Sequence, residues 1–401
     1  MISKINFTDV NPISNRETSL IKKDLYYTIK NKDFILGKNV KRFENNFSKL
    51  SKIKYSIGCA SGTDALILAL KSLNIKKADE VIVPAMTYIS TGLSVLLNNN
   101  KLVYADIDNS TGLISIENIV KNITKKTKVV IPVNIYGQKV NLRKLREKIG
   151  SKIFIIEDSA QSHFAFSCFN CKSKTKKICC KKEKNDQYAD ISCYSFYPAK
   201  NLGAYGDAGL VATKSKKIYN KLLSLRNLGS IKKHDHNLLG MNSRLDTIQA
   251  SILNRKLKSI FNVNETRRKI AKIYDDKFRE FRHIKITKTN PGSVRHLYVI
   301  RTKRRDALVK HLFKNKISCQ IHYPYSLNRL KPFKKLAKRN NNLKNSEKWS
   351  NECLSLPIHS KMRLHEVNRV VGEVKKFFLS VCHLPMYLTL DNLLYSKQFL
   401  N

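Results

Sequence analysis

Between about Lys54 and Thr213, short apolar runs alternate with amphipathic stretches. Val81-Ile82-Val83-Pro84, Leu102-Val103-Tyr104-Ala105, Val129-Val130-Ile131-Pro132-Val133 and Ile153-Phe154-Ile155-Ile156 are unbroken apolar runs. Runs this short and this apolar predict strands buried on both faces. Asp64 to Leu73 and Ile116 to Ile123 lie between them and carry helical spacing. Strands alternating with helices predict a mostly parallel sheet sandwiched by helices. Cys193 to Phe196 and Leu210 to Thr213 predict two further short strands. After Ser215 the pattern is helical through about Phe281. A smaller α+β region follows, with a strand at His296–Arg301, a helix at Asp306–Asn315 and helices near Asn345–Asn351 and Leu364–Phe378. The reading is an α/β chain with a large domain over 1–254, a small C-terminal α+β domain over 255–380 and a tail, 381–401, of unassigned structure. A chain of 401 residues can bury a core in each of two domains.

Charge adds a second observation. Lys and Arg number 76 against 30 Asp and Glu, a formal net charge of +46. Such a field favours anionic partners: nucleic acid, membrane phosphates or phosphorylated metabolites. The excess is spread along the chain, however, so a lysine-rich surface explains it without a dedicated nucleic-acid face. No zinc-finger, helix-turn-helix or RNP signature accompanies it. No run of 18 apolar residues exists, so no membrane span is expected. Met1 to Lys23 has no signal-peptide pattern, and the nine cysteines are therefore expected reduced, in a cytoplasmic protein. Residues 165–187 form a Cys- and Lys-rich insert with Cys168-x-x-Cys171 and the adjacent pair Cys179-Cys180. Four thiols can hold zinc, but an adjacent pair lacks the usual spacing. An exposed loop is the favoured reading, and no metal is expected.

Three strand-end segments carry chemistry. Ser195 to Asp207 reads SFYPAKNLGAYGD. It predicts a strand end, a proline turn presenting Lys200, and close-packing Gly and Ala positions. A lysine there can form a Schiff base with a carbonyl if its surroundings lower its pKa. Ile155-Ile156-Glu157-Asp158-Ser159-Ala160-Gln161 runs an apolar strand directly into a carboxylate. Asp158 is thereby placed at the carboxyl edge of the sheet, where open α/β sheets bind ligands. It could hold a pyridinium nitrogen in its protonated form, or it could cap a helix. Ala60-Ser61-Gly62-Thr63-Asp64 precedes helical spacing at once, and free N–H groups at a helix start favour phosphate. Tyr88 follows a strand and is placed either to stack on a ring or to fill the core.

Glycine turn, aromatic, strand-end Asp and strand-end Lys occur in that order on successive strand ends. From about Phe34 to Phe378 the sequence resembles the sugar-nucleotide aminotransferases of the DegT/StrS-like family. The resemblance rests on Phe34-Ile35-Leu36-Gly37, Ser61 to Leu66, Val81 to Tyr88, Pro132 to Gln138, Glu157 to Gln161, Ser195 to Asp207, Arg226 to Ser230, Asn242 to Asp246, Ile321 to Pro324 and Leu354 to Pro357. It implies the fold type I architecture of transferases that use pyridoxal 5'-phosphate (PLP). It further implies that Lys200 forms the Schiff base and moves the proton, that Asp158 pairs with the pyridine nitrogen, that Tyr88 stacks on the ring and that Gln161 contacts the ring hydroxyl. Gly62, Thr63 and Ser195 would hold the phosphate. Asn242, read as opening a helix and so otherwise a cap, would reach that phosphate from the partner subunit of a homodimer with shared active sites.

Related dehydratases carry His where this chain has Lys200, so transamination is implied, with L-glutamate as donor and a nucleotide-linked keto-sugar as acceptor. Pro132 to Gln138 and His322-Tyr323-Pro324 look most like members that aminate the 3-keto position, with His322 and Tyr323 on the substrate side. The sugar side departs from those members. Tyr325-Ser326 stands where Pro and His are usual, Asn134 where His is frequent and Ala208 where Gly is frequent. The competing reading is a family member retired from catalysis that binds nucleic acid or another polyanion through its basic surface.

Overall fold

The computed structural model describes residues 3–10, 14–166, 188–232, 234–334 and 342–380. Residues 167–187 of the cysteine insert and the tail 381–401 lie outside the described residues. A seven-stranded sheet organises the first half of the chain. Its strands are β1 (Tyr55–Cys59), β2 (Glu80–Pro84), β3 (Lys101–Ala105), β4 (Thr127–Val130), β5 (Phe154–Asp158), β6 (Ile191–Ser195) and β7 (Gly209–Thr213). They lie in the order β1-β7-β6-β5-β4-β2-β3. The pairs β2/β3, β2/β4, β4/β5 and β5/β6 are parallel, while β7 runs antiparallel to both β6 and β1. Reversed β7 thus leaves β1 pointing the same way as β6, and Cys59 and Ser195 both face Gly209 in register.

The sheet is covered on both faces, as its apolar strands require. Val81 and Val83 enter one core with Leu66, Leu70 and Val95. Ile82, between them, enters the opposite core with Val103, Val130, Leu142 and Leu145. The period-2 alternation of a strand therefore loads both layers. Helices α1 (Asn15–Lys30) and α2 (Lys38–Ser51) precede the sheet; the helices concerned here are α3 (Gly62–Ser72) and α4 (Ile89–Leu97) on the first face, and α5 (Ile116–Asn122) and α6 (Leu142–Ile149) on the second. Each fully buried Val, Ile or Leu contributes about 1.5–3 kcal/mol. That easily outweighs the modest helix propensity of a β-branched residue such as Val95.

The stretch after Ser215 is not continuously helical. It opens with helix α7 (Lys216–Leu225), and then Ser230–Lys232 and Asp235–His236 form a small antiparallel hairpin, β8 and β9. Helices α8 (Thr247–Lys256) and α9 (Ile260–Phe278) come next. Gly229 explains the break: its φ is +82°, and a side chain there would strike the Leu238 carbonyl. The second sheet comprises β10 (Lys285–Ile286), β11 (Tyr298–Arg301) and β12 (Cys353–Leu356), all antiparallel. Helices α10 (Arg305–Lys314), α11 (Lys344–Glu352) and α12 (Leu364–Leu379) accompany it. Its core gathers Ile270, Tyr274, Ile300, Leu308, Leu312, Val370 and Val374. Ile5 joins that core and bridges to Ile317, so the N-terminal end packs on the C-terminal sheet. Among the described residues no helix is long and apolar enough to cross a membrane.

Candidate active site

The strand ends Cys59, Pro84, Asp158 and Ser195 lie along one edge of the large sheet. The turns after them bring most of the sequence-predicted residues together. Ser61 caps α3, its Oγ accepting from the Asp64 amide at 3.1 Å. Gly62 follows because no side chain fits: a Cβ there would sit 2.5 Å from the Ser195 Cβ. This close approach sets Gly62, Thr63 and Ser195 around the start of an eleven-residue helix, where unpaired N–H groups favour an anion. Thr63 Oγ1 shares a 2.7 Å hydrogen bond with Ser90 Oγ.

Asp158 ends β5 and is buried. Its Oδ2 accepts from Thr91 Oγ1 at 3.0 Å and its Oδ1 from the Ala160 amide at 3.1 Å. It makes no ion pair among the described residues. The chain continues as turns through Phe164, so Asp158 caps no helix. Burial raises its pKa, opposed by those two hydrogen bonds and by the charge of Lys200. Beneath it lies a buried ion pair, Lys139 Nζ to Glu157 Oε1 at 2.7 Å. Asn134 Nδ2 also donates to Glu157 Oε1 at 2.7 Å, and Ser192 Oγ donates to Oε2 at 3.0 Å. Asn134 Oδ1 accepts from the Val140 amide, so this residue pins the loop after β4 to the end of β5.

Lys200 sits in the turn after β6, its amide bonded to the Tyr197 carbonyl at 2.8 Å. It is partly buried, and its Nζ makes no hydrogen bond or ion pair among the described residues. Burial lowers its pKa to about 8 against the pull of Asp158. The next residue, Asn201, ties this turn to α9 and to the segment before β11. Its Nδ2 donates to Asn264 Oδ1 at 2.8 Å, and its Oδ1 bonds His296 Nδ1 at 3.0 Å.

The remaining predicted residues divide. Tyr88 precedes α4 and is 56% exposed, its ring 5.7 Å from that of Tyr323. Gln161 is buried, its Oε1 accepting from the Tyr136 amide at 2.6 Å and its Nε2 donating to the Tyr323 hydroxyl at 2.9 Å. His322 bonds Ser355 Oγ at 2.8 Å and stacks on Phe7. Burial and then the Lys200 charge lower its pKa to about 4. Asn242 does not open a helix: α8 begins at Thr247, and Asn242 instead pairs with Asn227 on the surface. Its neighbour Ser243 is bonded to Asp64 at 2.6 Å, which holds this segment beside the start of α3.

Sequence reasoning missed Thr91, Ser90 and His163. His163 Nε2 donates to the Ser195 carbonyl at 2.8 Å, while its buried Nδ1 has no partner among the described residues. Burial and then Lys200 hold its pKa near 3, so the ring is neutral. Its place two residues after Gln161, in the same strand-end turn, was the available signal.

A desolvated lysine and a buried carboxylate beside a helix start that favours an anion suit the chemistry of a PLP enzyme, and residues 15–375 match a family of such enzymes. The chain belongs to the DegT/DnrJ/EryC1/StrS aminotransferase family. It is 34% identical to the UDP-N-acetyl-3-dehydro-alpha-D-glucosamine 3-aminotransferase of Acidithiobacillus ferrooxidans, over 86% of this chain and 89% of that one. It is equally, 34%, identical to the dTDP-3-amino-3,6-dideoxy-alpha-D-galactopyranose transaminase of Aneurinibacillus thermoaerophilus, over 93% and 99%. Among solved structures, NtdA from Bacillus subtilis with bound cofactor PMP superimposes with a TM-score of 0.85 at 27% identity, covering 94% of this chain and 86% of that one. PLP is the cofactor of this aminotransferase family. The site fits it on structural grounds: among the described residues, Asp158 is a buried carboxylate that gathers only neutral donors, and Lys200 Nζ has no partner.

Proposed function

We propose that this aminotransferase moves an amino group from L-glutamate to a nucleotide-linked keto-sugar, at the 3-keto position. The observation that carries the reading is Lys200, desolvated, without a partner among the described residues and within reach of the Asp158 charge. With a pKa of about 8, roughly a tenth of its amine is neutral at pH 7, against well under a thousandth for an ordinary lysine. Lys200 is thus a proton carrier near the working pH. When bound, PLP supplies an electron sink that labilises the proton on the substrate carbon. Asp158 would hold a positive charge on the ring nitrogen, Tyr88 would offer its exposed ring to the cofactor, and Gln161 would meet the ring hydroxyl. Gly62, Thr63 and Ser195 would hold the phosphate. His163, Tyr323 and His322 remain neutral and bound the site without competing for the proton.

The activities for which the two relatives above are named, both at a 3-position, support the acceptor class. We read the chain as a PLP-binding domain over 1–254 with a C-terminal domain over 255–380. We also read it as a homodimer in which Asn242 reaches the partner's phosphate cradle. Leu239 and Ile231, 92% and 72% exposed on the hairpin segment before Asn242, support a surface covered by a second copy. Nucleotide sugars are cytoplasmic metabolites, and we place the enzyme there. The test is to supply PLP, L-glutamate and UDP- or dTDP-linked 3-keto- and 4-keto-sugars, with mass spectrometry of the products. Amination of a 3-keto-sugar is expected; amination of 4-keto-sugars alone, or of neither class, overturns the assignment.

A further inference from the structure

We propose that the C-terminal sheet carries a second binding site, separate from the active site, for a small oligophosphate anion. A cavity of about 430 Å³ opens where the ends of β10 and β11 meet α11 and α12. That is the size of a small-molecule site. Six cations line it: Arg282, Lys285, Arg301, Lys303, Arg304 and Lys348. One carboxylate, Glu352, opposes them and meets Arg301 only loosely, at 3.9 Å. Cations gathered around one concavity repel each other until an anion enters.

Arg301 is the one buried cation among the six; the others are exposed. It is 4% exposed. Its guanidinium lies 4.1 Å over the Trp349 ring, and its two terminal nitrogens donate to Asn109 Oδ1 at 2.7 Å and the Asn109 carbonyl at 2.6 Å. Three contacts therefore fix the plane of the group. Its Nε is also buried and finds no partner among the described residues. An unmade hydrogen bond of this kind is costly. The Arg304 guanidinium fork with point charges from Lys285 and Lys348 suits the clustered oxygens of linked phosphates. None of the residues proposed for the active site lines the cavity, so this inference stands or falls apart from the aminotransferase reading.

Trp349 is the only tryptophan in the chain; it lies under Arg301 and its Nε1 also donates to the Tyr136 hydroxyl at 2.9 Å, so its fluorescence answers to both sites and the paired variants below assign the signal. Full-length, PLP-loaded protein is titrated with pyrophosphate and tripolyphosphate at constant ionic strength, read by calorimetry and by Trp349 fluorescence. The expected result is saturable binding of one anion per chain with a fluorescence change. Arg304→Ser with Lys348→Ser, both exposed positions, should weaken it by about tenfold or more. Lys125→Ser with Lys126→Ser removes two exposed charges elsewhere and should leave it unchanged. Absence of saturable binding, binding unaffected by the Arg304/Lys348 pair, or equal weakening by both pairs overturns the site; the last outcome assigns the effect to diffuse surface charge.

Discussion

Replacing Lys139 by Met removes one half of a buried ion pair and leaves the other. Lys139 and Glu157 are 2% and 0% exposed, and their contact is 2.7 Å. Burial pushes the Glu157 carboxyl upward, but the Lys139 charge, with hydrogen bonds from Lys139, Asn134 and Ser192, overrides it and holds the pKa below the usual range. Breaking such a pair costs about 3–5 kcal/mol, because a charge remains buried without its counterion. Asn134 and Ser192 still donate to Glu157, which favours the lower end. At about 2 °C per kcal/mol for a large chain, the melting midpoint should fall by roughly 6–10 °C. The sign of the pH dependence follows. In the wild type, Glu157 contributes stability above its unfolded pKa of about 4.3, and this is lost as pH falls through the lower folded value. Without Lys139, burial dominates and the folded pKa rises above the unfolded one. The deficit of the variant is then largest above that raised pKa and shrinks on acidification. Adding Glu157→Gln should restore most of the loss, since a neutral amide needs no counterion. Chemical denaturation at pH 8 and pH 5 measures both effects. A Lys139→Met protein within about 1 kcal/mol of wild type at both pH values, or a double variant no better than the single, refutes the reasoning.

Three further outcomes follow from the geometry. Gly62→Ala should weaken PLP binding by about tenfold or more, because its Cβ would meet Ser195 at 2.5 Å and push the helix start from the strand end; an absorbance titration giving the wild-type Kd contradicts the cradle. Gly372→Ala, in the middle of α12 with no atom within 4 Å of the added methyl, should stabilise the protein by about 0.5–1 kcal/mol in chemical denaturation. Lys200→Met should raise the melting temperature of the cofactor-free protein at pH 7 and do so less at pH 10. The folded pKa of about 8 lies below the unfolded value of about 10.4, so wild-type stability rises with pH between them; an equal or larger gain at pH 10 shows that Lys200 is not desolvated.

The parallel core of the fold was legible because its strands are buried on both faces and so leave unbroken apolar runs. β1 was missed: Tyr55-Ser56-Ile57-Gly58-Cys59 mixes polar and small residues and becomes a strand by pairing with β7. The β8–β9 hairpin was read as helix because its residues lack strong periodicity, while the turn depends on the positive φ of Gly229. The places of Asp158 at a strand end and of Lys200 in the turn after a strand were legible from the apolar runs before them. Their neighbours were not. Thr91 reaches Asp158 across 67 residues of sequence, and Asn264 and His296 reach Asn201 across 63 and 95. Such contacts depend on how layers stack, which local spacing does not record. Asn242 shows the converse: a polar residue before a helical pattern suggested a cap, and the helix starts five residues later at Thr247.

The decisive experiment is the absorption spectrum of the PLP-loaded protein before and after L-glutamate, with Lys200→Ala beside it. Wild type is expected to show the visible band of the lysine-bound cofactor, and L-glutamate should bleach that band with one 2-oxoglutarate released per site. Lys200→Ala should show neither. A wild-type protein that binds PLP without that band, or a Lys200→Ala protein that releases 2-oxoglutarate at the wild-type rate, contradicts the role given to Lys200.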